Sequence, residues 1–192
     1  MAHTTSNTED NGDSVALVDA PLHNTWTLYF HDFMDTNWNR ESYEKLVSFR
    51  TVREFWTVLN IAKELLSMGM FFFMRDDIFP KWDDNDNKDM SYLSMKILKT
   101  NTGEFMEEIL VMMLGSALFK DRRHCDMING ISISPKKNFC ICKIWIDSTE
   151  ERFKSIELFD IPTKYHGDVI FNDFGDNPPP TPLLAPSSVR TK

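Results

Sequence analysis

A chain of 192 residues that is 42% hydrophobic, with 15 Phe and 5 Trp, is long and apolar enough to bury one domain-sized core. Its formal net charge of −8 excludes general RNA or DNA binding, because proteins that grip nucleic acid by its phosphates use many Lys and Arg that release counterions. Three cysteines (Cys125, Cys140, Cys142) with no CxxC spacing give no disulfide framework and point to a reducing, cytoplasmic setting, and no apolar run reaches the length of a signal peptide or membrane span.

Residues 1–20 are polar, acidic and aperiodic, which reads as a disordered arm. From Asn24 to Phe30 the residues alternate with Trp26, Leu28 and Phe30 on one face, a half-buried strand that makes Trp26 core. The stretch Asn37–Trp56, NWNRESYEKLVSFRTVREFW, carries two different indoles. Trp38 sits in a polar run with few apolar neighbours, as a loop aromatic suited to a flat ligand, whereas Trp56 lies on an amphipathic helical pattern. That helix is predicted over Thr51–Ser67: Thr51 and Glu54 form a capping-box pair, and Phe55, Leu59, Ala62 and Leu66 make its buried stripe. Val52 and Trp56 fall at the stripe's edge.

Met70–Met74 reads as a buried strand, followed by a turn at Pro80 and the polar segment WDDNDNKD, in which Trp82 immediately precedes Asp83. Tyr92–Leu98 reads as a further strand. Gly103–Phe119 reads as a second helix with Phe105, Ile109, Met112 and Met113 inward. Ile128–Ser134 and Phe139–Ile146 form a hairpin around SPKKN, with Pro135 and Asn138 supplying the turn chemistry. Ser148 with Glu151 repeats the capping-box pattern and predicts a third helix to about Phe159, and Asp168–Phe171 gives the last strand. The expected class is α+β: a curved antiparallel β-sheet with three helices packed on its convex face. The domain spans 21–176, and residues 177–192 form a Pro-rich tail.

A Trp in a soluble domain is more often core than a ligand platform. Trp38 and Trp82 both sit among charged residues, which favours a platform, whereas Trp145, on the apolar strand CKIWID, reads equally either way. The acidic loop is no calcium loop, since from Asp83 the sixth position is Lys88 rather than Gly and the twelfth is Ser94 rather than Glu. His124, Cys125, Cys140 and Cys142 match no zinc spacing and read as buried thiols beside a histidine. No nucleophile motif, Gly-rich phosphate loop or carboxylate pair stands out, so the reading is a non-enzymatic protein without cofactor or metal.

The loop Trp38, the Trp82–Asp83 pair, the TV.EFW helix start, the LG at Leu114–Gly115 and the strand Trp145 with upstream lysines recur in an order and spacing that resembles the eukaryotic translation initiation factor 4E family of mRNA cap-binding proteins. The resemblance covers roughly Pro21 to Asp173. It implies a protein that binds the 7-methylguanosine cap of mRNA and recruits a scaffold factor for translation initiation. The cap is a cationic purine joined to a triphosphate. Stacked indoles hold such a base by cation–π attraction of about 1–2 kcal/mol per face, a carboxylate accepts from guanine N1–H and N2–H, and a few cations meet the phosphates.

By resemblance, Trp38 and Trp82 sandwich the base, Asp83 reads guanine while the Trp82 backbone donates to the base oxygen, Trp145 contacts the N7-methyl group, and Lys136 meets phosphate. Ile141 stands where the family has a second cation, and Lys143, on the same strand face, is expected to replace it. Asp83 is one methylene shorter than the usual Glu, so either the loop advances or the base hydrogen bonds weaken. A helical peptide of a factor 4G-like scaffold, or of a 4E-binding repressor, is implied to dock on the convex side at Pro21, Leu22, Val52, Trp56, Glu107, Glu108 and Val111. Glu107 stands where the family has an apolar contact, which predicts a partner helix carrying Lys or Arg there. The alternatives are a cap-binding paralogue that represses or stores mRNA, and an interaction adaptor with weakened cap binding.

Overall fold

The computed structural model describes residues 19–84, 87 and 89–176; the expected N-terminal arm, apart from Asp19 and Ala20, and the Pro-rich tail lie outside the described residues. Seven antiparallel strands form one curved sheet: β1 (Pro21–His31), β2 (Tyr43–Thr51), β3 (Met70–Arg75), β4 (Ser91–Leu98), β5 (Ile128–Pro135), β6 (Phe139–Ile146) and β7 (Val169–Asp173). Their spatial order is β2-β1-β3-β5-β6-β4-β7. Two α-helices, α1 (Val52–Ala62) and α2 (Thr102–Leu114), pack against one face.

Because successive side chains of a strand point to opposite faces, strands such as β1, β3, β4 and β6 divide their residues between two apolar clusters. Phe71 and Phe73 of β3 join Phe55 and Leu59 of α1 and Phe105 and Ile109 of α2 in the helix-side core, with Cys140, Cys142 and Ile144 of β6. Phe72, Met74, Tyr29, Tyr43, Tyr92 and Trp145 gather on the opposite face. The helix-side core is mostly aliphatic and phenyl. The second face is aromatic and partly open.

The sequence reading did not foresee β2, because YEKLVSFRT shows no strict alternation and residues 44–48 are all exposed. Pairing rather than burial makes it a strand: it is the sheet's edge and joins β1 through Trp26↔Phe49 and Tyr29↔Lys45. Helix α1 begins as expected. The Glu54 backbone N–H donates to Thr51 Oγ1 at 3.2 Å, and Glu54 Oε2 accepts from the backbone N–H of Arg50 at 2.8 Å and of Thr51 at 3.2 Å. Its stripe is buried as predicted, although the α-helix stops at Ala62 and a turn carries Leu66 inward.

Two helix expectations are corrected. Helix α2 ends at Leu114 rather than Phe119: Ala117 N–H donates to Met112 O and Ser116 N–H to Met113 O, a Schellman closure in which Ser116 takes φ 51°. Phe119 then leaves the helix to stack on Phe159, with ring centroids 4.4 Å apart. The segment from Ser148 to Phe159 is two short 3-10 turns, Glu151–Phe153 and Ile156–Leu158, rather than one α-helix. Ser148 Oγ accepts from the Glu150 N–H, two residues on, so the local turn replaces the capping box.

Candidate functional site

The aromatic face opens into a cavity of about 590 Å³ bounded by residues 38–39 and 80–83 of two loops and by one side of β5 and β6. Trp38, Trp82, Asp83, Lys136, Lys143 and Trp145 all line it, together with Tyr43, Phe72, Lys81 and Ile141. The six residues expected in one site are therefore brought together, although they span more than 100 positions of the chain.

The polar run before Trp38 is a series of local turns. Asp32 Oδ1 accepts from Met34 N–H, Asp35 Oδ1 from Asn37 N–H and Asn37 Oδ1 from Asn39 N–H, at 2.9, 2.8 and 3.0 Å. Trp38 is not short of apolar company, however: it is half-buried against the aromatic cluster, and the His31 imidazole lies parallel to it, centroids 4.2 Å apart and planes 6° apart. The second loop is held by Asn87, fully buried, whose side-chain amide donates to the carbonyls of Phe79 at 2.6 Å and Lys81 at 2.8 Å, just before Trp82. Arg40 fastens the loops to each other, its guanidinium 4.1 Å above the Phe79 ring and 3.5 Å from Asp84.

Asp83 lies at the exposed rim and is ion-paired to Lys81 at 2.6 Å. Trp145 is 3% exposed; its indole N–H donates to Ser132 Oγ at 3.0 Å, and it packs against Phe72 and Phe174. It is at once core of the aromatic cluster and wall of the cavity. Lys143 shares the face of Ile141 and Trp145, as strand geometry requires, with its Nζ 3.8 Å from the Tyr92 ring centroid. Burial, helped by the charge of Lys136, pushes its ammonium down to about 8. Burial first, then the nearby charge of Asp83, pushes the Tyr43 phenol well up. Lys136 stands exposed at the hairpin turn, where its N–H donates to Phe139 O.

On the helix face, Trp56 and Val111 are 37% and 43% exposed, and Pro21 is exposed beside Val52, whose N–H donates to Ala20 O. Glu107, Glu108 and Val111 line a shallow depression of about 410 Å³ with Met112, Pro162 and Lys164; Pro21, Leu22, Val52 and Trp56 lie outside it. Glu107, where a partner cation is expected, has a cation from its own chain: Lys63 of α1's C-terminal turn pairs with its carboxylate. Glu108 likewise accepts from Lys164, which also bonds Glu104. The three cysteines are buried free thiols, and among the described residues no three His, Cys, Asp or Glu side chains converge on a point that could hold a metal.

Sequence reasoning missed His31, Arg40, Lys81 and Asn87. A signal existed for His31, since period-two alternation puts it with Tyr29, on the face opposite Trp26 and Leu28. For Asn87, inside an acidic run, there was none.

A two-faced sheet with helices on one side and an aromatic slot on the other has the form of a ligand-binding module. Residues 21–163 match the family model described as eukaryotic initiation factor 4E, and the chain belongs to that family. It is 24% identical over 144 residues to initiation factor 4E of Dictyostelium discoideum, covering 70% of this chain and 55% of that protein. It is 26% identical over 156 residues to factor 4E-1A of Danio rerio, covering 76% and 71%. The chain thus spans from about half to seven tenths of these relatives' length. Among solved structures, schistosome eIF4E complexed with m7GpppA and 4E-BP aligns with TM-score 0.60 at 25% identity over 70% of this chain and 75% of that one. Caenorhabditis elegans eIF4E-3, complexed with the 4E-binding protein Mextli and cap analog, shares the fold at TM-score 0.61 and 17% identity, over 68% and 76%.

Proposed function

We propose that the slot binds the 7-methylguanosine cap of mRNA and that the helix face recruits a factor 4G-like scaffold, or a 4E-binding repressor, through a helical peptide, in cytoplasmic translation initiation. The carrying observation is that two indoles from separate loops, Trp38 and Trp82, line one cavity with a carboxylate, Asp83, next to the second. The relatives complexed with m7GpppA and with 4E-BP or Mextli support the same reading.

In this reading the cationic base lies between Trp38 and Trp82, each face contributing about 1–2 kcal/mol once water is excluded. Asp83 accepts from guanine N1–H and N2–H, which adenine cannot supply. The Trp145 edge meets the methyl group. Lys136 and Lys143 meet the phosphates, Lys143 taking the role that Ile141 cannot fill. On the other face Trp56 and Val111 offer exposed apolar anchors to a helix.

Tryptophan fluorescence during titration with 7-methyl-GTP, against unmethylated GTP, tests the proposal. Quenching by the methylated ligand that is lost in Trp38→Ala supports it. Equal weak responses to both nucleotides would favour the second reading, an interaction adaptor with weakened cap binding, for which the Lys81–Asp83 pair and the apolar Ile141 speak. That reading further requires that the chain not be retained on cap-analogue resin.

A further inference from the structure

We infer that His31 is a positioning residue for the ligand-stacking face of Trp38; the inference rests on the slot being the cap site. His31 is fully buried at the end of β1, and its ring lies 4.2 Å from the Trp38 ring at an interplanar angle of 6°. One face of the indole is therefore occupied from within the protein while Trp38 lines the cavity. The same imidazole reaches the chain beside that indole: its Nε2 lies 2.9 Å from the carbonyl oxygen of Asn37, the residue before Trp38. A carbonyl only accepts, so Nε2 carries the hydrogen, which in the neutral imidazole leaves Nδ1 as the acceptor. That Nδ1 is buried without a hydrogen-bond partner among the described residues.

An unpaired buried acceptor is unfavourable. Phenylalanine would give a ring for stacking without that nitrogen, and the position already has an aromatic neighbour, Tyr43, edge-on at 4.9 Å between centroids. What histidine adds is the tie to the Asn37 peptide. The ring thus fixes the plane of Trp38 by stacking and fixes the approach of its backbone by a hydrogen bond. Arg40, two residues after Trp38, clamps the far end of the loop on Phe79. A first plate held at both ends is ordered before the base arrives, so less conformational freedom is lost on binding.

The experiment compares wild type, His31→Phe and His31→Leu in the full chain, measuring 7-methyl-GTP and GTP affinity by fluorescence and Tm by thermal unfolding. His31→Phe keeps the stack and loses the tie; His31→Leu fills volume and loses both. The expected result is that His31→Phe unfolds at or above the wild-type Tm yet binds 7-methyl-GTP about three- to ten-fold more weakly, the range set by the net worth of one hydrogen bond, with His31→Leu weaker again as the aromatic pair is lost too. Affinities within two-fold of wild type in both variants, or any other order, or a loss that follows Tm, would overturn the inference. Failure of the underlying site reading is told apart by the wild-type control: if wild type does not prefer 7-methyl-GTP to GTP, the slot is not a cap site and the inference falls with it.

Discussion

Lys81 Nζ lies 2.6 Å from Asp83 Oδ1, so the two residues flanking Trp82 are joined to each other across the edge of the slot. One of the carboxylate oxygens that a guanine would engage already has a cation on it. A half-exposed pair of this kind is worth about 0.2–1 kcal/mol. Removing it with Lys81→Met is expected to tighten binding of 7-methylguanosine, a ligand without phosphates, about two- to five-fold. Raising the salt concentration should have a similar but smaller effect in wild type and none in the variant, as read by fluorescence titration. Unchanged nucleoside affinity in Lys81→Met would show that the pair opens freely.

Lys143 supplies a pH dependence with a definite sign. In the free slot burial holds its ammonium at about 8, below the ordinary lysine value of 10.5. A bound triphosphate favours the charged form, so affinity for 7-methyl-GTP is expected to fall as pH rises through about 8. Titration of the ligand itself is common to all variants, so the difference between wild type and Lys143→Met isolates the lysine. Folding moves the other way. The unfolded chain holds more protons on this side chain than the native one between about 8 and 10.5, so its contribution to stability rises with pH over that window. Parallel pH profiles in the two proteins would remove Lys143 from the phosphate site.

The Lys63–Glu107 pair bears on partner choice. Since Glu107 has a cation from its own chain, helical peptides of 4E-binding type with or without a Lys facing it should bind wild type within about two-fold. In Lys63→Met the carboxylate is unmatched, and the Lys-bearing peptide is expected to gain about three- to ten-fold over the neutral one, the double-mutant signature of a direct charge contact. Isothermal titration with the two peptides decides it. A strong preference already present in wild type would mean that the pair is broken on docking.

Ser116 sits at φ 51°, the left-handed region, in the turn that closes α2. Glycine adopts that conformation without the steric penalty of a Cβ, so Ser116→Gly is expected to stabilise the fold by about 0.5–1 kcal/mol. Chemical denaturation at equal m-value would show the gain. A loss would indicate that the Ser116 side chain makes a contribution of its own.

Much of this molecule could be read from its residues, and the misses follow a physical pattern. Strands with apolar alternation and the Thr51–Glu54 helix start were legible because their signals are local. Edge strand β2 was not, since its residues 44–48 face solvent and only pairing with β1 defines it. The 148–159 segment failed because Ser148 bonds its neighbour instead of capping a helix, a competition that composition does not decide. In the slot, Trp38, Trp82, Asp83, Lys136, Lys143 and Trp145 could be named through a family pattern. Of the residues that hold them, His31 had a signal in its alternation with Tyr29, whereas Arg40 and Asn87 act through loop contacts that no spacing rule exposes.

The strands write two messages on alternate letters, one read by the helices and one by the slot. Insertion or deletion of a single residue within β3 or β6 would swap the letters, sending Phe72 or Trp145 into the helix layer and Phe73 or Ile144 toward the ligand. Such a change would lose folding and binding in one step. In a protein so built, change is channelled into point replacements and into the loops, where length can drift without shifting the frame of the sheet.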